Sequence, residues 1–459
     1  MIKPQNKQKV GVAMHFFTPF ELPSDPMIPA YTVNIKDFGA VAGGEVLCSE
    51  AIARAIADLE AHGGGHLVVP AGVFLTGAIH FCSNMDLHLV KGAELLFTTD
   101  PAAYLPVVFT RIEGVRCYNY SPLLYAYEKE NLSVTGEGIL NGQGRAWWGY
   151  SANRQGMDDL YRQGAEQTPV EQRIYGDIEK WGLRPYFLQF VYCKNILVQG
   201  VRFVQTPFWC VAPLFSENIT VRGVSFYTDR SAHNSDSVDF DSCRNCLMED
   251  CHVLSSSDDG VCAKSGRDRD GRAAGVPTVN VEVRNCVFEY GGAALVVGSE
   301  TSGGIDNVWM HDCVVRNSGM VAHVKSRPGR GGEIKNVDIE NVHANRVTHG
   351  VRISTHYFSD GKKTTELPDI HHICYANLSG DSCYHGVNVT GEQELPLHDI
   401  VLKDIRFGTV ETGITTEFAD NLLMDHVETY RCEWYDWKAE RHNVPYPDTD
   451  YIPRGVEVE

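Results

Sequence analysis

The sequence predicts an all-β fold, a right-handed parallel β-helix (a solenoid). Three observations carry the prediction: a strand-like unit recurs, its apolar positions keep fixed offsets, and no helical period competes over the same stretch. Aligned on an asparagine or its substitute, the unit starts at Asn195, Asn218, Asn245, Asn280, Asn307, Asn336, His372, Asp399 and Asn421. One residue on, every copy is apolar: Ile196, Ile219, Cys246, Val281, Val308, Val337, Ile373, Ile400 and Leu422. The pattern holds three residues on, from Val198 to Met424, and six residues on, from Val201 to Val427. Positions one and three share a strand face, because side chains alternate with period two. Position six breaks that parity, so a bend is expected between them. Such a unit cannot bury its apolar face alone, and stacking the next copy about 4.8 Å away completes the core. The anchors lie about 22 to 36 residues apart, as in coils with unequal loops. The right hand follows the usual rule for parallel crossovers.

The elements follow in order. Residues 1–30 read as a Pro-containing arm without periodicity, and 33–38 as a strand. Residues 49–62 read as a helix, with Ile52, Ile56 and Leu59 on one face and Gly63, Gly64 and Gly65 ending it. Placed ahead of the first coils, this short N-terminal helix is expected to cap the open end of the solenoid. The repeat signal makes 31–430 a single parallel β-helix domain. Within it, 151–182 is polar and irregular and reads as a long loop insertion. The aromatics Trp434, Tyr435, Trp437, Tyr446 and Tyr451 mark 431–459 as a C-terminal tail packed on the coil.

The chain has 459 residues and a net charge of −19, which disfavours nucleic acid and anionic membrane as partners. An acidic substrate then needs a local basic pocket. No stretch is long and apolar enough to cross a membrane by the sequence criterion. Of the 14 cysteines, Cys251, Cys286 and Cys313 share position six with valines and read as small core residues. Cys243 and Cys246 form half a zinc motif without a second pair, so no metal site is expected. Many free thiols and the lack of a leader predict a cytoplasmic address, or a secreted or periplasmic one if a leader has been removed. A homo-oligomer is compatible with the sequence.

Chemistry concentrates on two neighbouring coils. Residues 233–241 hold Asp236, Asp239 and Asp241, and one coil later comes Ser257-Asp258-Asp259-Gly260. Adjacent strand residues face opposite sides, so Asp258 and Asp259 enter one site only if the backbone leaves the strand there. The serines and glycine around them favour such a turn. Stacking would bring Asp236 beside this pair. Clustered carboxylates suit glycoside hydrolysis, in which a protonated acid serves the leaving oxygen and a carboxylate activates water. Like charge raises one pKa and keeps that acid protonated.

The sequence resembles glycoside hydrolase family 28, the polygalacturonase-like pectin-degrading enzymes. The likeness rests on Val33-Asn34-Ile35-Lys36-Asp37-Phe38-Gly39-Ala40, on the Gly64–Gly72 run, on Glu113-Gly114 with Cys117-Tyr118-Asn119-Tyr120-Ser121-Pro122, on Asn234-Ser235-Asp236, and on Asp258-Asp259 followed by Lys264-Ser265-Gly266. It implies inverting hydrolysis of α-linked galacturonate or a related pectic bond, with Asp258 as general acid and with Asp236 and Asp259 positioning and activating water. It implies no metal and no cofactor. Two departures stand out. The family's Gly-His-Gly aligns with Gly291-Gly292-Ala293, so its histidine is missing. Its Arg-Ile-Lys aligns with His323-Val324-Lys325, so a forked permanent donor becomes a titratable one. That exchange costs about 1 kcal/mol or more at a carboxylate site. It shifts the expected substrate toward a modified galacturonide, a rhamnogalacturonan-type oligosaccharide or a neutral sugar. The stretch from Cys251 to Asp258 is also one residue longer than the family pattern, which predicts a local shift in register.

The expected substrate-binding residues are Asn234, Gly292, Glu300, His323, Lys325 and Arg327. His323 and Lys325 share one strand face, and Arg327 and Arg330 either supply the basic pocket or are solvated loop charges. Glu300 either meets sugar hydroxyls or braces the Gly303-Gly304 turn. Exo action is expected, because the 151–182 insertion can close one end of the groove. Two alternatives stay open. One is a β-helix polysaccharide lyase, with Asp236, Asp239 and Asp241 as a calcium cluster. The other is a non-catalytic carbohydrate-binding β-helix.

Overall fold

The computed structural model describes residues 15–255, 257–357 and 365–431. The tail expected at 431–459 therefore lies outside the described residues, apart from the backbone of its first residue. The architecture is the right-handed parallel β-helix that the repeats predict. One face stacks strands Lys194–Gln199, Glu217–Arg222, Arg244–Glu249 and Thr278–Arg284 in register, so that Ile196, Ile219, Cys246 and Val281 form one inward column. A second face stacks Arg202–Val204, Ser225–Tyr227, His252–Ser255 and Val287–Glu289. A third stacks Val238–Asp241, Val261–Lys264, Ala293–Val297, Met320–Lys325 and Val347–Ser354.

The anchors lie within strands but leave the regular strand backbone. All nine anchors have positive φ, from 51° at Asn421 to 65° at Asn307. Asparagine tolerates this left-handed conformation better than most residues. Its amide also hydrogen-bonds the preceding coil: Asn195 Nδ2 donates to Asn131 Oδ1 at 2.9 Å, Asn218 to Asn195 at 3.1 Å, Asn245 to Asn218 at 3.1 Å and Asn280 to Asn245 at 2.8 Å. The expected bend sits at position five, which is left-handed in every copy: Gly200, Gly223, Asp250, Asn285, Asp312, Asn341, Asn377, Asp404 and His426. Position six, including Cys251, Cys286 and Cys313, turns inward into the core. All thirteen cysteines among the described residues are buried and free of disulfides.

The helix Ser49–Ala61 forms as expected, burying Ile52, Ala55, Ile56 and Leu59 against the first coil. The insertion differs from expectation. It is not irregular, for it folds into helices Gln155–Glu166 and Ile178–Trp181, with the short helix Arg145–Trp148 just ahead of it. Met157, Leu160, Tyr175 and Leu183 bury a small core of their own with Phe208 and Trp209. Sparse apolar residues at helical spacing are enough there because a ready apolar wall of the solenoid receives them. The described part of the arm is a strap. The backbone N–H groups of Phe16 and Phe17 donate to Asp338 Oδ2, that of Thr18 donates to Asn307 Oδ1, and Asp25 pairs with Arg222 at 3.1 Å. The arm thus runs from later coils back to earlier ones.

Candidate active site

The third face carries the site. Its inward residues, Val238, Phe240, Val261, Ala263, Leu295, Val297 and Val324, are core. Outward residues form columns across coils, with Asp239, Cys262, Val296, His323 and Arg352 in register in one and Asp241 beside Lys264 in the next. Just ahead of strand Val261–Lys264 the backbone leaves the strand, as two adjacent acids in one site require. The extra residue of this coil is absorbed earlier: Phe226 pairs with Val253 but Tyr227 pairs with Ser255, a bulge at Leu254. Ser257 N–H then donates to Ser235 Oγ at 2.9 Å, which ties the turn to the previous coil.

Asp236, Asp258 and Asp259 come together, each with a carboxylate oxygen within 4.8 Å of the others. Asp236 and Asp259 are buried and Asp258 keeps partial exposure. Asp236 Oδ2 accepts from Lys264 Nζ at 3.0 Å, while its buried Oδ1 has no hydrogen-bond partner among the described residues. Asp259 Oδ2 accepts from Lys325 Nζ at 3.1 Å and its Oδ1 accepts from Ala293 N–H at 3.0 Å. Burial, and then the charges of Asp236 and Asp259, push the Asp258 carboxyl well above the usual carboxylate range. Burial also raises Asp236, and Lys264 partly offsets it. Burial alone would discharge Lys264, but Asp236 and Asp239 outweigh it and hold the ammonium charged.

Lys264, absent from the expected substrate-binding set, is central. Its Nζ lies 2.9 Å from Asp239 Oδ1, an ion pair without hydrogen-bond alignment, and 3.4 Å from the ring centroid of Trp209. A lone lysine in the apolar run Val261-Cys262-Ala263-Lys264 was the available signal, but only the coil register shows which acids it meets. Asp241 is likewise engaged, with Arg111 Nη1 at 2.8 Å. The acids that a calcium cluster would use are thus held by a lysine and an arginine.

The other expected residues divide. Gly292 lies directly under the acid pair: its N–H donates to Asp258 O at 2.6 Å, and a Cβ there would meet Asp259 Oδ1 at 2.8 Å. Backbone, not a side chain, fills that place. Asn234 sits at one end of the site, its Oδ1 accepting from Arg184 Nη2 at 3.1 Å. Lys325 and His323 do share the outward face of strand Met320–Lys325. His323 departs from expectation in its charge. It is 3% exposed, and burial together with Lys325, Arg352 and His349 drives its pKa well below the ordinary 6.5, so it is a neutral imidazole and not a titrating donor. Glu300 does not spend its side chain on the Gly303-Gly304 turn. It is buried among Lys264 at 4.0 Å, Arg267 at 3.8 Å and Arg330 at 4.0 Å, and its pKa falls to about 2: burial opposes the shift and these cations outweigh it. Arg327 and Arg330 are not solvated. Arg330 is 1% exposed and donates to Ser299 O at 2.9 Å, and both arginines pair with Asp268.

The sequence and the fold are similar to those of known proteins. The sequence profile described as glycosyl hydrolases family 28 matches residues 177–422. A solved hyperthermoactive exopolygalacturonase from Thermotoga maritima shares 36% sequence identity, with a TM-score of 0.84 over 89% of this chain and 94% of that one. A probable polygalacturonase of Vitis vinifera is 28% identical over 82% of this chain and 74% of its own length. An exo-poly-alpha-D-galacturonosidase of Dickeya chrysanthemi is 26% identical over 73% of this chain, which spans 58% of that longer protein. The chain is a glycoside hydrolase and belongs to glycosyl hydrolases family 28.

Proposed function

We propose that the protein is an exo-acting hydrolase that removes galacturonate from α-linked galacturonan oligosaccharides with inversion. The carrying observation is the unequal treatment of three neighbouring carboxylates. Asp258 is kept protonated, whereas Asp236 and Asp259 are each hydrogen-bonded to a buried lysine. Asp258 then protonates the leaving glycosidic oxygen. Asp236, through its unpartnered Oδ1, and Asp259 orient and deprotonate the attacking water. Lys264 and Lys325 place their positive charge beside these two carboxylates while the oxocarbenium-like transition state develops. The lyase reading loses its support, since Asp239 and Asp241 are engaged by Lys264 and Arg111.

Exo action draws on the helical insertion. Its Arg154 and Met157 line a narrow cavity with Arg184, His233 and Asn234, two residues before Asp236, and a cavity walled in this way suits a terminal sugar. Two relatives with exo activity in their names agree with this reading. The buried free thiols suit a reducing, cytoplasmic compartment, which cell fractionation checks.

Inversion has one rival. Acid and base are commonly about 6.5–9.5 Å apart in inverting enzymes and about 5–5.5 Å apart in retaining ones. The oxygens here lie within 4.8 Å, a spacing that favours retention. The third acid and the two lysines favour water activation over nucleophilic attack, because a lysine-held carboxylate is a poor nucleophile. The test is hexagalacturonate labelled at its reducing end, with the products followed by chromatography and by proton NMR. Labelled pentamer plus free β-galacturonate supports the reading. Mid-length labelled fragments contradict exo action, an initial α-anomer contradicts inversion, and an unsaturated product contradicts hydrolysis.

A further inference from the structure

On the later coils the first face opens with strands Glu333–Asn345, Asp369–Thr390 and Leu397–Glu417. Glu333 lies on the first of these coils, Asp369 and His371 on the second, and His398 on the third, in register with His371. Carboxylate and imidazole atoms of Glu333, Asp369 and His371 lie within 4.8 Å of one another. His371 Nε2 is 3.1 Å from Glu333 Oε1, and His398 Nε2 is 3.1 Å from Asp369 Oδ1. The two imidazoles stack almost parallel, with centroids 4.8 Å apart and planes 5° apart, so both turn Nε2 toward this pair of carboxylates. Lys335 Nζ holds the other oxygen of Glu333, which leaves Oε1 to face His371. His398 meets a carboxylate at each ring nitrogen, Asp399 Oδ2 at 2.8 Å from Nδ1 and Asp369 Oδ1 at Nε2. A neutral imidazole carries one N–H and an ionised carboxylate only accepts. Unless His398 is charged, one contact sets lone pair against lone pair, which is a place for a cation. With the proton on Nδ1 and held by Asp399, Nε2 offers its lone pair to the cluster, as in metal-bound histidines that a carboxylate orients from behind.

We propose that Glu333, Asp369, His371 and His398 bind a divalent transition-metal ion of the zinc type. Two imidazole nitrogens and two carboxylate oxygens make a four-ligand set that suits zinc, and the nitrogens select against calcium and magnesium, which take oxygen. Zinc holds such ligands at about 2.0–2.2 Å, so the side chains close in by about 1–1.5 Å. Glu333 is exposed and Asp369 and His398 are half-buried, so none is locked in the core. The ion joins three successive coils near the last described strand, Ala419–Arg431, where a repeat has fewer neighbours to stack on. Its role is that of a clip between coils and is separate from hydrolysis, since Asp236, Asp258 and Asp259 belong to earlier coils.

The test uses the full chain, dialysed against a chelator and then against plain buffer, with zinc chloride as the probe. Uptake is read by isothermal titration calorimetry and stability by the thermal unfolding midpoint. Wild type is expected to take up one more zinc per chain than the His371→Gln/His398→Gln double variant, with a Kd of about 10 µM or tighter. Its midpoint is expected to rise by about 2 °C or more at about 100 µM zinc, and that of the variant to rise less. The variant keeps Asp236, Asp258 and Asp259, so any ion on those acids is common to both proteins. Equal uptake and equal midpoint shifts overturn the proposal, and so does magnesium matching zinc. A second arm needs no variant: X-ray absorption at the zinc edge of wild type loaded with one equivalent. Two imidazole ligands in the first shell are expected, and fewer than two overturn the proposal.

Discussion

Lys325 Nζ lies 3.1 Å from Asp259 Oδ2, although its strand is two coils further along the solenoid than the strand that Asp259 precedes. The pair makes the catalytic centre a property of stacking: no single coil contains it. Replacing Lys325 by Met leaves Asp259 buried without its cation. The expected result is a loss of about 10²-fold or more in kcat, and a stability loss of about 3–5 kcal/mol. Steady-state kinetics and thermal unfolding check it.

The pH profile follows from the opposite demands on two raised groups. Asp258 must be protonated and Asp236 ionised. Burial raises both, Asp258 the more strongly because two neighbouring carboxylates add to it. The acid limb of kcat/KM is therefore expected above the ordinary carboxylate value of about 4, with the alkaline limb set by loss of the Asp258 proton. Lys264→Gln removes the cation that offsets the Asp236 shift, so the acid limb should move to higher pH.

Glu300 makes a prediction about stability. Its pKa is lowered from 4.5 to about 2, so its contribution is present above 4.5 and is lost as pH falls through about 2. Glu300→Gln is expected to be less stable than wild type at neutral pH, by an amount on the order of 3 kcal/mol. Unfolding measured across that acid range should show the two proteins converging.

The asparagine ladder is testable at Asn245, which has φ 56° and amide bonds to the coils on both sides. Asn245→Ala places an alanine at a left-handed φ and removes both bonds. The expected cost is about 2–4 kcal/mol, read as a lower unfolding midpoint.

Much of this was legible in the sequence, because a solenoid repeats its physics. The inward residues at offsets one, three and six, the bend before Val201 or Cys286, and the cap at Ser49–Ala61 all follow from local pattern. The longer Cys251–Asp258 stretch was suggested by the family resemblance and not by local pattern, and the bulge at Leu254 shows only in the strand register. The helices of the insertion were not legible, since Met157 and Leu160 acquire an apolar partner only when Phe208 and Trp209 approach from another coil. Lys264 was missed for a related reason. It sits at an ordinary strand position, and only register shows that it lies against Asp236. The charge state of His323 was misjudged because burial, which discharges it, is invisible in the sequence.

The central claim is that Asp258 donates the proton to the leaving oxygen. The most direct measurement is kcat/KM of Asp258→Asn on trigalacturonate and on 4-nitrophenyl α-galacturonide, whose nitrophenolate leaves without a proton. The account predicts a loss of about 10³-fold or more on trigalacturonate and a loss at least tenfold smaller on the aryl glycoside. Equal losses on both substrates, or no loss on trigalacturonate, would contradict it.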